Sequence, residues 1–257
     1  MLIEQTLEKL TGMRLHGMAK AMRQWAETPR DVELRPEDLI GILADAEWVQ
    51  RENSRLTARL RKAKFRQQAC VEDIIYTSER GVTKTVMNEL SSSRWVATHR
   101  NIILTGPTGV GKSYLACALG QKACRDGYGV LYKRTSRLFD ELTQARADGT
   151  YALALRRIAK TPVLILDDFG LQPMTANERR DLLEVLEDRY NAASTVVTSQ
   201  LEPNLWHAMI GDETIADSIC DRLVHSARRL TLAGESIRKL LADEATPQPL
   251  TQEDTAE

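Results

Sequence analysis

Residues 106–113 read GPTGVGKS, and residue types at this spacing can hold a polyphosphate. Gly106, Gly109, Gly111, Lys112 and Ser113 satisfy the pattern GxxxxGK[ST]. The glycines let the backbone turn its N–H groups inward around phosphate oxygens. A helix starting at Lys112 adds partial positive charge, and the Lys112 ammonium reaches the β and γ phosphates. Ser113 has the hard oxygen that magnesium prefers. The expected phosphate-binding stretch is therefore Gly106, Pro107, Thr108, Gly109, Val110, Gly111, Lys112, Ser113 and Tyr114, with ATP and Mg2+ as the ligands.

A second group of residues fits the same chemistry. The apolar run VLIL at 163–166 ends in Asp167 and Asp168, and carboxylates at the C-terminal end of a parallel strand lie where such sheets bind ligands. Asp167 is expected to hold the metal, directly or through water, and Asp168 to orient or deprotonate an attacking water. The alternative is a pair of solvated loop acids. Gln200, just after TVVT at 195–198, stands where a side chain can sense the γ-phosphate, although a polar strand end is also an ordinary feature.

These residues need a frame that brings them together. From about residue 100 the chain alternates short β-rich runs with amphipathic helices: NIIL (101–104), VLYK (130–133), VLIL (163–166), TVVT (195–198) and RLTL (229–232). That alternation predicts an α/β fold with a parallel sheet covered on both faces. The helix NERRDLLEVLEDRY is expected to face the core with Leu182, Leu183 and Leu186. Residues 1–66 read as a helical N-terminal domain, broken at Pro29 and Pro36, and 67–100 as a connecting segment. The ATPase core spans 101–242, and the acidic stretch 243–257 is expected to be disordered.

Composition removes other classes. Of 257 residues, 42% are hydrophobic and 28% charged, which excludes a disordered or fibrous chain, and the net charge of -1 gives no overall attraction to polyanions. Cys70, Cys117, Cys124 and Cys220 form no CxxC pair, so they read as reduced thiols rather than zinc ligands or disulfides. The four histidines show no metal spacing. No apolar run approaches the ~18 residues of a membrane helix. The reading is no membrane and a cytoplasmic location.

With GPTGVGKS, LILDDFG, TSQ and the DRL of 221–223 in this order, the chain resembles the AAA+ ATPases of the DnaC helicase-loader clade, and within it the IstB-type transposition helpers of insertion sequences. TLEKLTGMRLHGMAKAM, the basic run after WVQ and the closing GESIR extend the resemblance over nearly the whole chain. It implies a five-stranded sheet in the order 5-1-4-3-2, assembly into a homo-oligomeric ring or spiral, and an ATP site completed by a neighbour's arginine. Arg222 of DRL matches that trans arginine, and Gln200 takes the sensor position where relatives use Asn. Taken without the resemblance, Arg222 reads as a surface ion pair. Asp168 stands where AAA+ proteins commonly have Glu, a departure that points to slow hydrolysis. About 25 residues follow the last strand, too few for a helical lid, with Arg238 as a candidate second sensor.

DNA contacts are sought in two basic clusters. Residues 51–66 hold seven basic side chains and one acid. On a helix, Arg51, Arg55, Arg59, Lys62 and Arg66 fall within an arc of about 80°, beside an apolar stripe of Val49, Leu56, Leu60 and Ala63. Such a ridge suits phosphates without reading sequence, or it is a solvated or partner-facing surface. Lys133, Arg134 and Arg137 follow the second strand, where the resemblance implies a nucleic-acid path. Trp48, Trp95 and Trp206 are expected to be core or interface anchors. The function expected is a regulator of transposition that assembles with ATP on double-stranded DNA, recruits and stimulates a transposase, and is reset by hydrolysis. A helicase loader and a small-molecule P-loop kinase are the rival readings.

Overall fold

The structure is a computed structural model that describes residues 2–27, 35–76 and 80–237. The chain divides into two compact units, Met1–Arg61 and Lys62–Glu257. Pro29, Arg238 and the acidic stretch 243–257 lie outside the described residues.

The first unit is built from α1 (Leu2–Gly12), α2 (His16–Glu27) and α3 (Pro36–Ala63), whose last two residues belong to the second unit. Pro36 occupies the first helical position of α3, where its missing N–H costs nothing. Helices α2 and α3 cross closely at Gly17, where an added Cβ would run into the Ala46 carbonyl and Glu47 Cα. The Glu47 carboxylate accepts the Gly17 N–H at 2.7 Å and the Met18 N–H at 3.3 Å, satisfying two orphan donors at the start of α2. Arg51 pairs with the same carboxylate at 2.6 Å and, with those N–H groups, holds it below the usual carboxylate range. Trp48 is exposed and is not a core residue.

The second unit opens with α4 (Lys84–Ser91) and α5 (Arg94–Ala97), followed by β1 (Ile102–Thr105) and α6 (Lys112–Arg125). Next come β2 (Val130–Arg134), α7 (Thr135–Ala147), α8 (Tyr151–Ala159), β3 (Val163–Phe169), α9 (Ala176–Arg189) and β4 (Ser194–Ser199). Helices α10 (Trp206–Ile210) and α11 (Glu213–Val224) precede β5 (Arg228–Thr231). The five strands form one parallel sheet in the order β2-β3-β4-β1-β5, the expected 5-1-4-3-2 read from the other edge.

The strands are apolar because both faces are covered. Leu164, Leu166, Val197 and Ile103 pack with Leu138, Leu142, Leu182, Leu186 and Trp206 into one buried cluster. Leu183, expected in the same core, is only partly buried at its edge. Phe169 and Trp206 lie with ring centroids 4.6 Å apart, and Trp95 is buried with its indole N–H on the Leu90 carbonyl at 3.0 Å. Arg189 is buried with no carboxylate partner among the described residues. Its guanidinium donates to the carbonyls of Ile158 and Thr161 at 2.7 Å and of Ser194 at 2.5 Å, tying α8 to the start of β4. Asn101 bridges β1, β4 and α11: its Nδ2 donates to the carbonyls of Arg222 and Leu223, and its Oδ1 accepts the Thr195 N–H. No described helix is long and apolar enough to cross a membrane.

Candidate nucleotide site

The loop between β1 and α6 follows from what its glycines permit. Gly106 has φ at 134°, and a Cβ there would strike the carbonyl oxygen of Leu232, just past β5. Gly111 has φ at 92° and precedes the first residue of α6, with the Arg80 guanidinium close against it. L residues with a side chain rarely adopt these conformations, so glycine is required in both places. Lys112 is buried and its Nζ donates to the Gly106 and Pro107 carbonyls, both at 2.7 Å, at the mouth of the loop. Burial lowers its pKa, while the charges of Asp168 and Asp167 oppose that shift.

At the end of β3 the ladder to β4 shifts register between Leu166 and Phe169, and Asp168 takes φ at 61°. In a regular strand consecutive side chains point to opposite faces. This bulge, with its left-handed residue, instead brings both carboxylates within 3.8 Å of one atom, Arg66 Nη1. Asp168 pays for the conformation with backbone strain of about 1 kcal/mol, and its N–H is held by Thr198 Oγ1 at 3.1 Å.

Asp167 is fully buried, and three hydroxyls surround its carboxylate. Ser113 donates to Oδ1 at 2.7 Å, Thr198 to Oδ1 at 2.5 Å and Tyr132 to Oδ2 at 2.5 Å. Burial, and then the bond to Asp167, raise the Tyr132 phenol's pKa. The Ser113–Asp167 contact joins the glycine-rich loop to the acid strand.

A cavity of about 580 Å³ opens above these groups, a size suited to a nucleotide. Thr108, Gly109, Gly111, Lys112, Ser113 and Tyr114 line it, together with Asp168 and Gln200. Gly106, Pro107 and Val110 do not; Val110 is buried, and its carbonyl accepts from Arg80 Nε at 3.3 Å. The chain after β5 also returns to the loop, with the Ile237 N–H on the Gly109 carbonyl at 3.1 Å. Arg80 and Tyr132 carry no motif in the sequence. Tyr132 is a strand former in a β-rich run, and only its hydrogen bond to Asp167 on the neighbouring strand reveals a role.

Three of the eight expected DNA contacts are placed differently by the structure. Arg66 is not on the α3 ridge, because the helix ends at Ala63 and Lys64, with φ at 55°, turns the chain away; the guanidinium lines the cavity instead. Lys133 is buried and paired with Glu141, because β2, although an edge strand of the sheet, is covered by α7. Arg134 faces the cavity, 3.8 Å from Asp168. Arg51, Arg55, Arg59 and Lys62 remain on α3, with Arg55 paired to Glu52 at 2.6 Å. Arg137 is exposed, 3.4 Å from Asp140.

Arg222 lies on α11 and is not among the residues lining its own chain's cavity. It pairs with Glu187 at 2.5 Å and donates to the Ser218 carbonyl at 2.9 Å, and its buried Nε has no hydrogen-bond partner among the described residues.

A parallel sheet in this order, with a glycine-rich loop after β1 and an acid pair closing β3, is the P-loop fold of AAA+ proteins. Two solved structures share that fold. The crystal structure of DnaI matches with a TM-score of 0.56 at 22% identity, over 65% of this chain and 92% of that one. The DnaC helicase loader matches at 0.54 and 18% identity, over 64% and 96%. The chain belongs to the IstB-like ATP binding protein family, whose match covers residues 8–245. It is similar to the insertion sequence ATP-binding protein y4pL of Sinorhizobium fredii, 49% identical over 93% of this chain and 98% of that one.

Proposed function

We propose that this protein hydrolyses ATP with magnesium, assembles on double-stranded DNA when ATP is bound, and recruits the transposase of its insertion sequence. The observation that carries the hydrolysis reading is the β3 bulge, which turns the Asp168 carboxylate to the same side as Asp167 and into the cavity. The residues present fit magnesium. Ser113 Oγ and the Asp167 carboxylate are hard oxygen donors 2.7 Å apart, and magnesium at triphosphate sites takes few protein ligands beside water and phosphate. When bound, the ion would neutralise charge on the β and γ phosphates.

The chain's own groups then divide the work. Lys112 exchanges the Gly106 and Pro107 carbonyls for phosphate oxygens. Asp168 orients or deprotonates the attacking water, and Gln200 hydrogen-bonds the γ-phosphate. Arg222 acts on the neighbouring subunit's nucleotide, in keeping with its position away from its own cavity and its unpartnered Nε. The name of y4pL, an insertion sequence ATP-binding protein, supports the link to transposition. Arg51, Arg55, Arg59 and Lys62 on α3, with Arg137, are the DNA contacts of this reading. The surface ion pairs of Arg55 and Arg137 are worth about 1 kcal/mol or less each, so phosphates can displace them, whereas Arg51 also serves the buried Glu47 carboxylate.

The test is the mass of the protein mixed with duplex or single-stranded DNA, in ATP or ADP, at low and moderate salt. The reading expects a large complex that needs ATP and duplex and dissolves as salt rises. Assembly on single strands with capture of a helicase would replace it with the loader reading. A monomer under every condition would remove assembly from the account.

A further inference from the structure

Arg66 enters the cavity from the segment that leaves α3. Its Nη1 lies 3.8 Å from Asp167 Oδ2 and 3.8 Å from Asp168 Oδ2, a distance at which attraction is electrostatic and no hydrogen bond forms. The side chain is 37% exposed, so it can move without disturbing the core. Of the other cations of the cavity wall, Lys112 is held by loop carbonyls and Arg80 by the carbonyls of Val110 and Ile75. Arg134 shares Asp168 Oδ2 at the same 3.8 Å, so among the described residues it is Arg66 whose guanidinium spans both carboxylates.

Two adjacent carboxylates, one of them fully buried, require nearby positive charge. We infer that Arg66 is the counter-ion of the Asp167–Asp168 pair when no metal is bound, and therefore the positioning residue that sets how strongly nucleotide binding depends on magnesium. This inference rests on the magnesium–ATP reading of the cavity. A cation at Ser113 and Asp167 competes with the guanidinium for the acid pair, while the same guanidinium attracts the triphosphate. Removing Arg66 has two opposed effects. Phosphate loses a positive charge, and the acid pair, left with less compensating charge, attracts the metal more strongly. A residue that only packs would shift binding in one direction whether or not metal is present.

The experiment titrates the full chain with the fluorescent analogue mant-ATP, once in EDTA and once in saturating magnesium chloride, for the wild type, Arg66→Gln and Arg66→Lys. Arg66→Gln should raise Kd in EDTA roughly threefold to fivefold, the upper end for partly exposed ion pairs, and change Kd in magnesium by less than about twofold. The ratio of the two constants therefore grows. Arg66→Lys keeps the charge and should keep the wild-type ratio. A ratio unchanged in Arg66→Gln, with both constants raised or with neither, overturns the inference and leaves the ATP site standing. A wild type that binds no mant-ATP in either condition overturns the reading of the cavity and this inference with it.

Discussion

Asp168→Asn removes one negative charge and little else. Asparagine has the same shape and tolerates the left-handed region that φ at 61° demands, so the bulge and the hydrogen bond from its N–H to Thr198 should survive. The charge change loses two ion pairs at 3.8 Å, to Arg66 and Arg134, each partly exposed and worth about 1 kcal/mol or less. It also relieves repulsion from Asp167, so folding stability should move by no more than about 1 kcal/mol in either direction. Hydrolysis is a different matter. A positioned general base contributes roughly 10²- to 10⁴-fold, or about 3–5 kcal/mol of barrier at 1.36 kcal/mol per factor of ten. The assay is steady-state phosphate release beside mant-ATP titration in magnesium. Phosphate release should fall at least about a hundredfold while Kd stays within about threefold. Hydrolysis within about fivefold of wild type would refute Asp168 as the base, and a parallel loss of binding would show that the bulge had collapsed.

Two further substitutions test the frame. Tyr132→Phe strips Asp167 Oδ2 of its hydroxyl donor in a fully buried place and should cost about 1–3 kcal/mol in urea unfolding without nucleotide; a change under about 0.5 kcal/mol would contradict the network. Arg189→Met leaves the carbonyls of Ile158, Thr161 and Ser194 without their donor and should cost about 3–5 kcal/mol, read as a fall in the urea midpoint, with full stability the contrary result.

The nucleotide loop was legible because its glycines, lysine and serine are each dictated by one local requirement, and the strand and helix around it announce themselves by composition. The sheet order followed from the resemblance and agrees with the structure. Arg66 was misplaced because charge spacing continues smoothly past the point where the helix stops. Neither Gly nor Pro marks that end, and Lys64 makes the turn itself. Lys133 reads as a strand leaving the core because it is a basic residue after three apolar ones, while β2 is covered through to Lys133 and α7 supplies Glu141 as its partner. The bulge at Asp167–Asp168 has no local signal, since a strand that ends at Leu166 and one that kinks through Phe169 share the same residues. Tyr132 and Thr198 hide for a related reason: both are ordinary strand formers, and only the folded sheet brings their hydroxyls to one carboxylate.

The central claim, an ATP site completed between subunits, is tested most directly by mixing two inactive proteins on duplex DNA. Arg222→Ala and Asp168→Asn are each expected to bind mant-ATP and to release little phosphate. In an equal mixture that assembles at random, an interface works when one neighbour supplies an intact Asp168 and the other an intact Arg222. That condition holds for about a quarter of interfaces, so the mixture should recover about a quarter of wild-type hydrolysis. A mixture no more active than its two components, or an Arg222→Ala protein as active as the wild type, would contradict the shared site.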